Sequence, residues 1–293
     1  MRHPGKSKMI KRLLTGITII SLLAVFLIGC ATVPLTGRTQ LSLVGDQQIS
    51  QLSLTQYREI LQKSKLSKNK AQVAMVRRVG TRIARACEDF LRMNNMASEI
   101  KNYKWEFNLI DDPKTVNAFC MPGGKIAVYT GILPICKDET GLAVVMGHEV
   151  AHALAKHGNE RMSQALLVQL GGVALAVALS QKPAATQQAF LAAYGLGATV
   201  GVMLPYSRSH EYEADRIGLT LMAMAGYDPH AAVGLWQRMD ALSKGKSKAP
   251  EFLSTHPVPE SRIEYIKKYI PEAMKYYRAE TPLPVYARMA WGY

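Results

Sequence analysis

Cysteine is scarce: Cys30, Cys87, Cys120 and Cys136 are the only four in a chain of 293 residues. That excludes a disulfide-built scaffold. Their spacings include no CxxC pair, which removes a zinc knuckle. No stretch of about 20 residues is wholly apolar, so a multi-span membrane protein is excluded. Acidic residues are the minority, 22 against 36 basic, for a net charge of +14. Five of the basic residues (Arg2, Lys6, Lys8, Lys11, Arg12) stand in the first 29 positions, and the remainder is still +9. Those later charges are mixed among acids, with no basic stripe interleaved with aromatics, so nucleic acid is not indicated as a partner. Charged residues make up 20% and hydrophobic residues 48%, which excludes wholesale disorder and supplies a sizeable core. No internal repeat is visible.

The first 30 residues read as an export leader. Basic residues end at Lys11-Arg12, and Leu13 to Ile28 follow without a charge. Sixteen residues suit the apolar region of a signal peptide and are short for a spanning helix. The run closes on Leu27-Ile28-Gly29-Cys30, which resembles a bacterial lipoprotein signal. The resemblance implies that residues 1–29 are removed and Cys30 is lipidated, anchoring the protein to a membrane. With Ala31 next, it also implies a bacterial cell envelope location, on the outer membrane facing the periplasm.

Residues 30–45 read as a tether, with Pro34, Gly37 and Gly45. Asp46 is placed to cap a helix running to about Ser64. A second helix, about 68–94, sets Val73, Val76, Val79, Ile83, Ala86 and Phe90 at three- and four-residue steps. The period then changes. Tyr103, Trp105, Phe107 and Leu109 alternate with polar residues, as in a half-buried strand. Val116–Cys120 and Lys125–Tyr129 read as two short strands around the turn Met121-Pro122-Gly123-Gly124. From Asp138 to about Lys268 the pattern is helical. The expected fold is α+β and mostly α-helical, one domain over residues 46–275 with a small antiparallel sheet, followed by a tail at 276–293.

The chemistry concentrates at His148-Glu149-Val150-Ala151-His152, an HExxH pattern. On a helix, residues i and i+4 share a face, so both imidazoles reach one tetrahedral zinc ion. Glu149 lies beside the open position, where it takes a proton from the attacking water. Gly147, inside this helix, permits close approach to the sheet. A third ligand is needed. Ala155 and Gly158 stand where another zinc class would carry Gly and His, and His157 falls about 140° off the ligand face, as an ordinary surface histidine. Downstream, Glu211 and Asp215 share a helical face. One carboxylate binds the metal and the other accepts a hydrogen bond from a ligand imidazole. Glu213 points elsewhere.

Four blocks in order resemble the CAAX-prenyl-protease/HtpX-like zinc metallopeptidases of the gluzincin type, nearest their periplasmic lipoprotein branch. They are Asn117-Ala118-Phe119 through Pro122-Gly123-Gly124 and Gly131; Gly147 through His152; Ser207-Arg208 through Glu211 and Asp215; and Ser254-Thr255-His256-Pro257 with Arg262-Ile263. The resemblance covers roughly Asp46 to Ile270. It implies a zincin-like domain and one zinc ion held by His148, His152 and Glu211. Glu149 is implied as general base and Asp215 as partner of a ligand imidazole. The implied activity is zinc-dependent endoproteolysis of misfolded or damaged envelope proteins. A chaperone-like assembly factor and a membrane-embedded protease are the alternatives. His256 matches the position from which gluzincins stabilise the oxyanion, and the resemblance implies that catalytic role for it, with filling the open coordination position as a gate as the runner-up. The strand at 116–120 is the expected substrate-pairing edge, with Asn117, Ala118 and Phe119 at the contact. The stretch from Met162 to Ser207, charged only at Lys182, reads as an apolar hairpin of helices at about 165–180 and 186–204 flanking the cleft.

Overall fold

The computed structural model describes residues 30–179, 207–244, 250–257 and 260–277. The leader, the second arm of the apolar hairpin and nearly all of the C-terminal tail lie outside the described residues. Two short strands come first among the described residues, β1 (Cys30–Thr32) and β2 (Thr39–Leu41), paired antiparallel with Cys30 opposite Leu41. They are followed by α1 (Asp46–Lys63) and α2 (Lys70–Met93). Asn69 caps α2 by accepting from the Gln72 amide, and Val76, Val79, Ile83, Ala86 and Phe90 of the expected stripe are all buried. Asp46 is the first residue of α1 rather than its cap, which falls on Gly45. Its carboxylate instead accepts from Lys156 Nζ at 2.7 Å.

The central sheet contains β3 (Glu106–Ile110), β4 (Ala118–Met121) and β5 (Lys125–Tyr129), in the order β3-β5-β4. It is mixed: β4 and β5 form the expected antiparallel hairpin, while β3 runs parallel to β5. The hairpin turns at Pro122-Gly123-Gly124. Both glycines take left-handed backbone angles, φ +87° and +78°, and the Trp105 ring fills the space a side chain at 124 would need. Helix α1 is pinned across the sheet by Tyr57, whose hydroxyl donates to Ile126 O at 2.8 Å. At β4 the side chains alternate. Ala118 joins the main core, and Phe119 turns to the opposite face to pack against Tyr57 and Tyr129.

A short helix, α3 (Leu133–Cys136), leads into α4 (Glu139–Leu154), which forms the centre of the molecule. Asp138 caps α4 by accepting from the Gly141 amide at 2.8 Å, and every residue from Gly141 to Leu154 is buried. Around it pack α2, β4, α6 (Arg208–Met224) and α7 (Ala231–Lys244). Helix α5 (His157–Leu179) follows α4, and α8 (Glu251–Thr255) and α9 (Glu260–Ala273) come last among the helices described. Among the described residues, no helix is long and apolar enough to cross a membrane.

The segment expected as a tether is packed. Val33 and Val44 are buried, the Leu43 amide donates to Ser163 Oγ, and Asn159 Nδ2 donates to Val44 O. Arg38 drives this docking, because it meets two buried carboxylates, Glu160 on α5 and Glu213 on α6, at 2.8 and 2.9 Å. Cysteines 87, 120 and 136 form no disulfide.

Candidate metal centre and active site

Two glycines set the site. A side chain at Gly147 of α4 would meet Gly218 O at 3.0 Å, and one at Gly218 of α6 would meet His148 N at 3.0 Å. The close approach allowed by Gly147 is therefore to α6, not to the sheet as the sequence suggested. Glu211 and Asp215 lie seven and three residues before Gly218, so this backbone contact carries both carboxylates up to the HExxH face. Ser207 caps α6, its hydroxyl accepting from the His210 amide at 3.3 Å.

Four buried side chains converge: His148, His152, Glu211 and His256. His148 Nε2 lies 3.1 Å from His152 Nε2 and 3.5 Å from Glu211 Oε2. His152 Nε2 lies 3.3 Å from Glu211 Oε1. His256 Nδ1 lies 3.3 Å from His148 Nε2 and 2.9 Å from Glu211 Oε1. Nitrogen and oxygen ligands about 2.0–2.1 Å from a tetrahedral zinc ion stand about 3.3 Å apart. The measured separations scatter around that edge length, and the donor set is the nitrogen-and-carboxylate chemistry that zinc takes. These residues therefore fit the metal, with His256 at the fourth corner.

Around the cluster, charges are matched. Arg262 is fully buried; it forks Asp215 with Nε and Nη2 at 2.7 and 2.9 Å, and its Nη1 is 2.7 Å from Glu211 Oε2. Its guanidinium lies 3.7 Å from the Trp236 ring centroid. Asp215 Oδ1 is 3.0 Å from His148 Nδ1, the nitrogen facing away from the cluster. Burial works to raise the Glu211 carboxyl, but Arg262, His256 and the two imidazoles overcome it and hold Glu211 ionised far below the usual range. Burial lowers His148, yet Asp215 and Glu211 outweigh it and raise the imidazole to about 9. At His152 burial wins and keeps the ring neutral. Glu149 is buried and raised, chiefly by desolvation. Its Oε1 has no hydrogen-bond partner among the described residues, and His256 Nε2 is 3.6 Å away. A raised carboxylate beside the cluster with a free oxygen is suited to accept a proton.

Asn117, expected as a polar contact for substrate, uses its amide to donate to Glu251 Oε1 at 3.0 Å. Phe119 is a packing residue on the far face. The strand β4, which carries Phe119 and begins one residue after Asn117, is an edge of the sheet, bounded upstream where the Phe252 amide donates to Val116 O.

His157 is not a surface histidine. It is fully buried, with Nδ1 2.8 Å from His152 Nδ1 and Nε2 2.9 Å from Glu213 Oε2. The 3.6-residue projection failed because α4 ends at Leu154 and Lys156 takes φ +55°, so α5 restarts in a new direction. Burial pushes this imidazole down to about 4. Sequence reasoning also left Arg38 and Trp236 unnoticed, and gave Arg262 no role. Glu160 and Glu213 stand in polar, charged stretches, so nothing local in the sequence marked them as partners of a buried cation.

A family model described as Peptidase family M48 matches residues 70–270. The mitochondrial metalloendopeptidase OMA1 of Schizosaccharomyces pombe is 44% identical over 60% of this chain and 50% of its own length. Human mitochondrial metalloendopeptidase OMA1 is 32% identical over 83% of this chain and 46% of its own. The β-barrel assembly-enhancing protease of Escherichia coli is 31% identical over 59% of this chain and 36% of its own. The chain thus spans about half the length, or less, of these relatives. The resemblance holds at the level of the family and does not single out the lipoprotein branch. The expected location in a bacterial envelope, on the outer membrane, is overturned by the mitochondrial relatives, which match this chain at higher identity or over more of its length than the bacterial one. The family match runs from the start of α2 into α9 and contains every side chain of the cluster, and the chain belongs to peptidase family M48.

Proposed function

We propose that this chain is a zinc-dependent endopeptidase acting on misfolded or damaged proteins, with His148, His152 and Glu211 as metal ligands. The observation that carries the reading is the set of donor separations, 3.1 to 3.5 Å among these three side chains, beside the buried Glu149. Zinc, when bound there, supplies a Lewis acid that polarises the scissile carbonyl and acidifies a water. Glu149 takes the proton of the attacking water and delivers it to the leaving nitrogen. Asp215 accepts from His148 Nδ1–H, which directs the bare Nε2 into the cluster. An extended substrate adds to the edge strand β4 beside Asn117, Ala118 and Phe119, where backbone pairing reads little sequence and so favours unfolded chains. The test uses purified protein and an unfolded protein such as casein. Wild type cleaves it, a chelator stops cleavage, and zinc restores it. Glu149→Gln keeps the metal and loses cleavage by about 10²–10⁴-fold or more. Undiminished cleavage by the metal-bearing Glu149→Gln protein refutes the assignment.

His256 has two possible roles, and its position favours the gate. Its Nδ1 stands at the fourth corner of the donor set, 2.9 Å from Glu211 Oε1. A ring there blocks the position that a catalytic zinc keeps open. His256→Ala then raises cleavage of an unfolded protein. A fall of about 10²–10³-fold with metal retained would instead assign it to oxyanion stabilisation. Attachment to a membrane through an acylated Cys30 is supported by the uncharged run from Leu13 to Ile28 that precedes it. Cys30→Ser that fractionates like wild type removes that part of the reading.

A further inference from the structure

The two histidines of the HExxH pattern are held from behind by different chemistry. His148 meets a carboxylate, Asp215, directly. His152 meets another imidazole, His157, and the carboxylate comes one step later, at Glu213. Glu213 in turn accepts from Arg38 Nε at 2.9 Å and from the Thr36 hydroxyl. Arg38 forks Glu160 with Nη1 and Nη2 at 3.0 and 2.8 Å. Glu160 Oε2 lies 2.9 Å from His210 Nε2, and the His210 ring stacks on His157 at 4.4 Å between centroids. His157, His210, Glu160 and Glu213 are all buried. Thr36 and Arg38 come from the turn between β1 and β2.

The direction of every hydrogen bond in this chain follows from one end. The Glu213 carboxylate is fixed as an acceptor by Arg38 and Thr36, so His157 must present N–H at Nε2. A neutral imidazole carries one proton, and with it on Nε2 the Nδ1 atom only accepts. His152 must then donate from its own Nδ1 and turn a bare Nε2 toward His148 and Glu211. The tautomer a metal ligand needs is thereby set from the N-terminal hairpin, through Glu213 and His157.

We propose that His157 and Glu213 are positioning residues for His152, and that Arg38 makes the β1–β2 hairpin a third support of the metal site. This rests on the reading of His152 as a zinc ligand.

The test is zinc affinity of the purified chain, measured by competition with a chromogenic chelator, alongside thermal unfolding of the metal-free protein to verify folding. His157→Asn places an amide oxygen where Nδ1 stood, so it still accepts from His152, but it is too short to reach Glu213. His157→Phe removes the acceptor. The expected losses in zinc affinity are roughly 10–100-fold for His157→Phe and about tenfold for Arg38→Met, with His157→Asn close to wild type. Arg38→Met added to His157→Asn should cost no further zinc affinity, because the link between them is already cut. The cobalt-substituted His157→Phe protein should also show an altered visible spectrum.

Wild-type zinc affinity in folded His157→Phe overturns the proposal, as does an equal Arg38→Met loss in both backgrounds. If His157→Phe does not fold, the Arg38→Met comparison across wild type and His157→Asn decides alone. His152→Ala is the control. Retained zinc affinity there would refute the ligand reading itself, whereas lost affinity there with no effect at 157 would refute only the relay.

Discussion

Arg262 offers the sharpest perturbation of the site. It is completely buried, forks Asp215, pairs with Glu211 and sits over the Trp236 ring. Arg262→Met keeps much of the aliphatic bulk and removes the charge. Asp215 and Glu211 then remain buried, with the raised imidazole of His148 as the cation beside both. Removing one partner of a buried ion pair costs about 3–5 kcal/mol, because the other charge is left uncompensated. The lost guanidinium–indole contact adds to this and falls within the same range. For a chain of this size, where 1 kcal/mol moves the midpoint by about 2–4 °C, the metal-free variant should melt roughly 10 °C lower. The deficit should shrink when zinc is added, since a divalent cation at the cluster supplies the missing positive charge beside Glu211. The assay is thermal or urea unfolding followed by circular dichroism, with and without zinc. A metal-free variant within about 1 kcal/mol of wild type would refute the view that Arg262 balances the two carboxylates.

Two further outcomes follow from the packing and the charges. Gly218→Ala places a methyl group 3.0 Å from the His148 amide nitrogen, so α4 and α6 must part; a loss of about 1–3 kcal/mol and reduced zinc content are expected from unfolding curves and metal analysis. Despite burial, His210 and Arg38 lower the Glu160 carboxyl from its usual 4.5 to about 2. A depressed folded value contributes stability that is present above pH about 4.5 and lost as pH falls toward 2. Acid titration of stability should show that loss, on the order of 1–3 kcal/mol, and Arg38→Met should blunt it.

The parts of the site that obey a single helical period were legible in the sequence. His148 and His152 at i and i+4, and Glu211 and Asp215 at the same spacing, needed only one straight helix each, and both helices formed. The stripe on α2 and the Pro122-Gly123-Gly124 turn were legible for the same reason, since each depends on local spacing or local backbone freedom. What failed depended on where one element meets another. His157 was projected along α4 through a position, Lys156, at which the helix breaks. Gly147 was read as a contact point, but its partner, Gly218, is 71 residues away and has no sequence mark. Residues 30–45 carry the glycines and prolines of a linker, and only the two buried carboxylates on α5 and α6 show why Arg38 docks them. The bond from Asn117 to Glu251, 134 positions later, was likewise not visible in the sequence.

The central claim is a single zinc ion on His148, His152 and Glu211, and zinc K-edge X-ray absorption of the purified chain tests it most directly. The account predicts one zinc per chain in a four-coordinate shell of nitrogen and oxygen at about 2.0–2.1 Å, with imidazole scattering that falls by one ring in His256→Ala. A sulfur shell near about 2.3 Å, which would require one of the four cysteines, or the absence of stoichiometric zinc would contradict it.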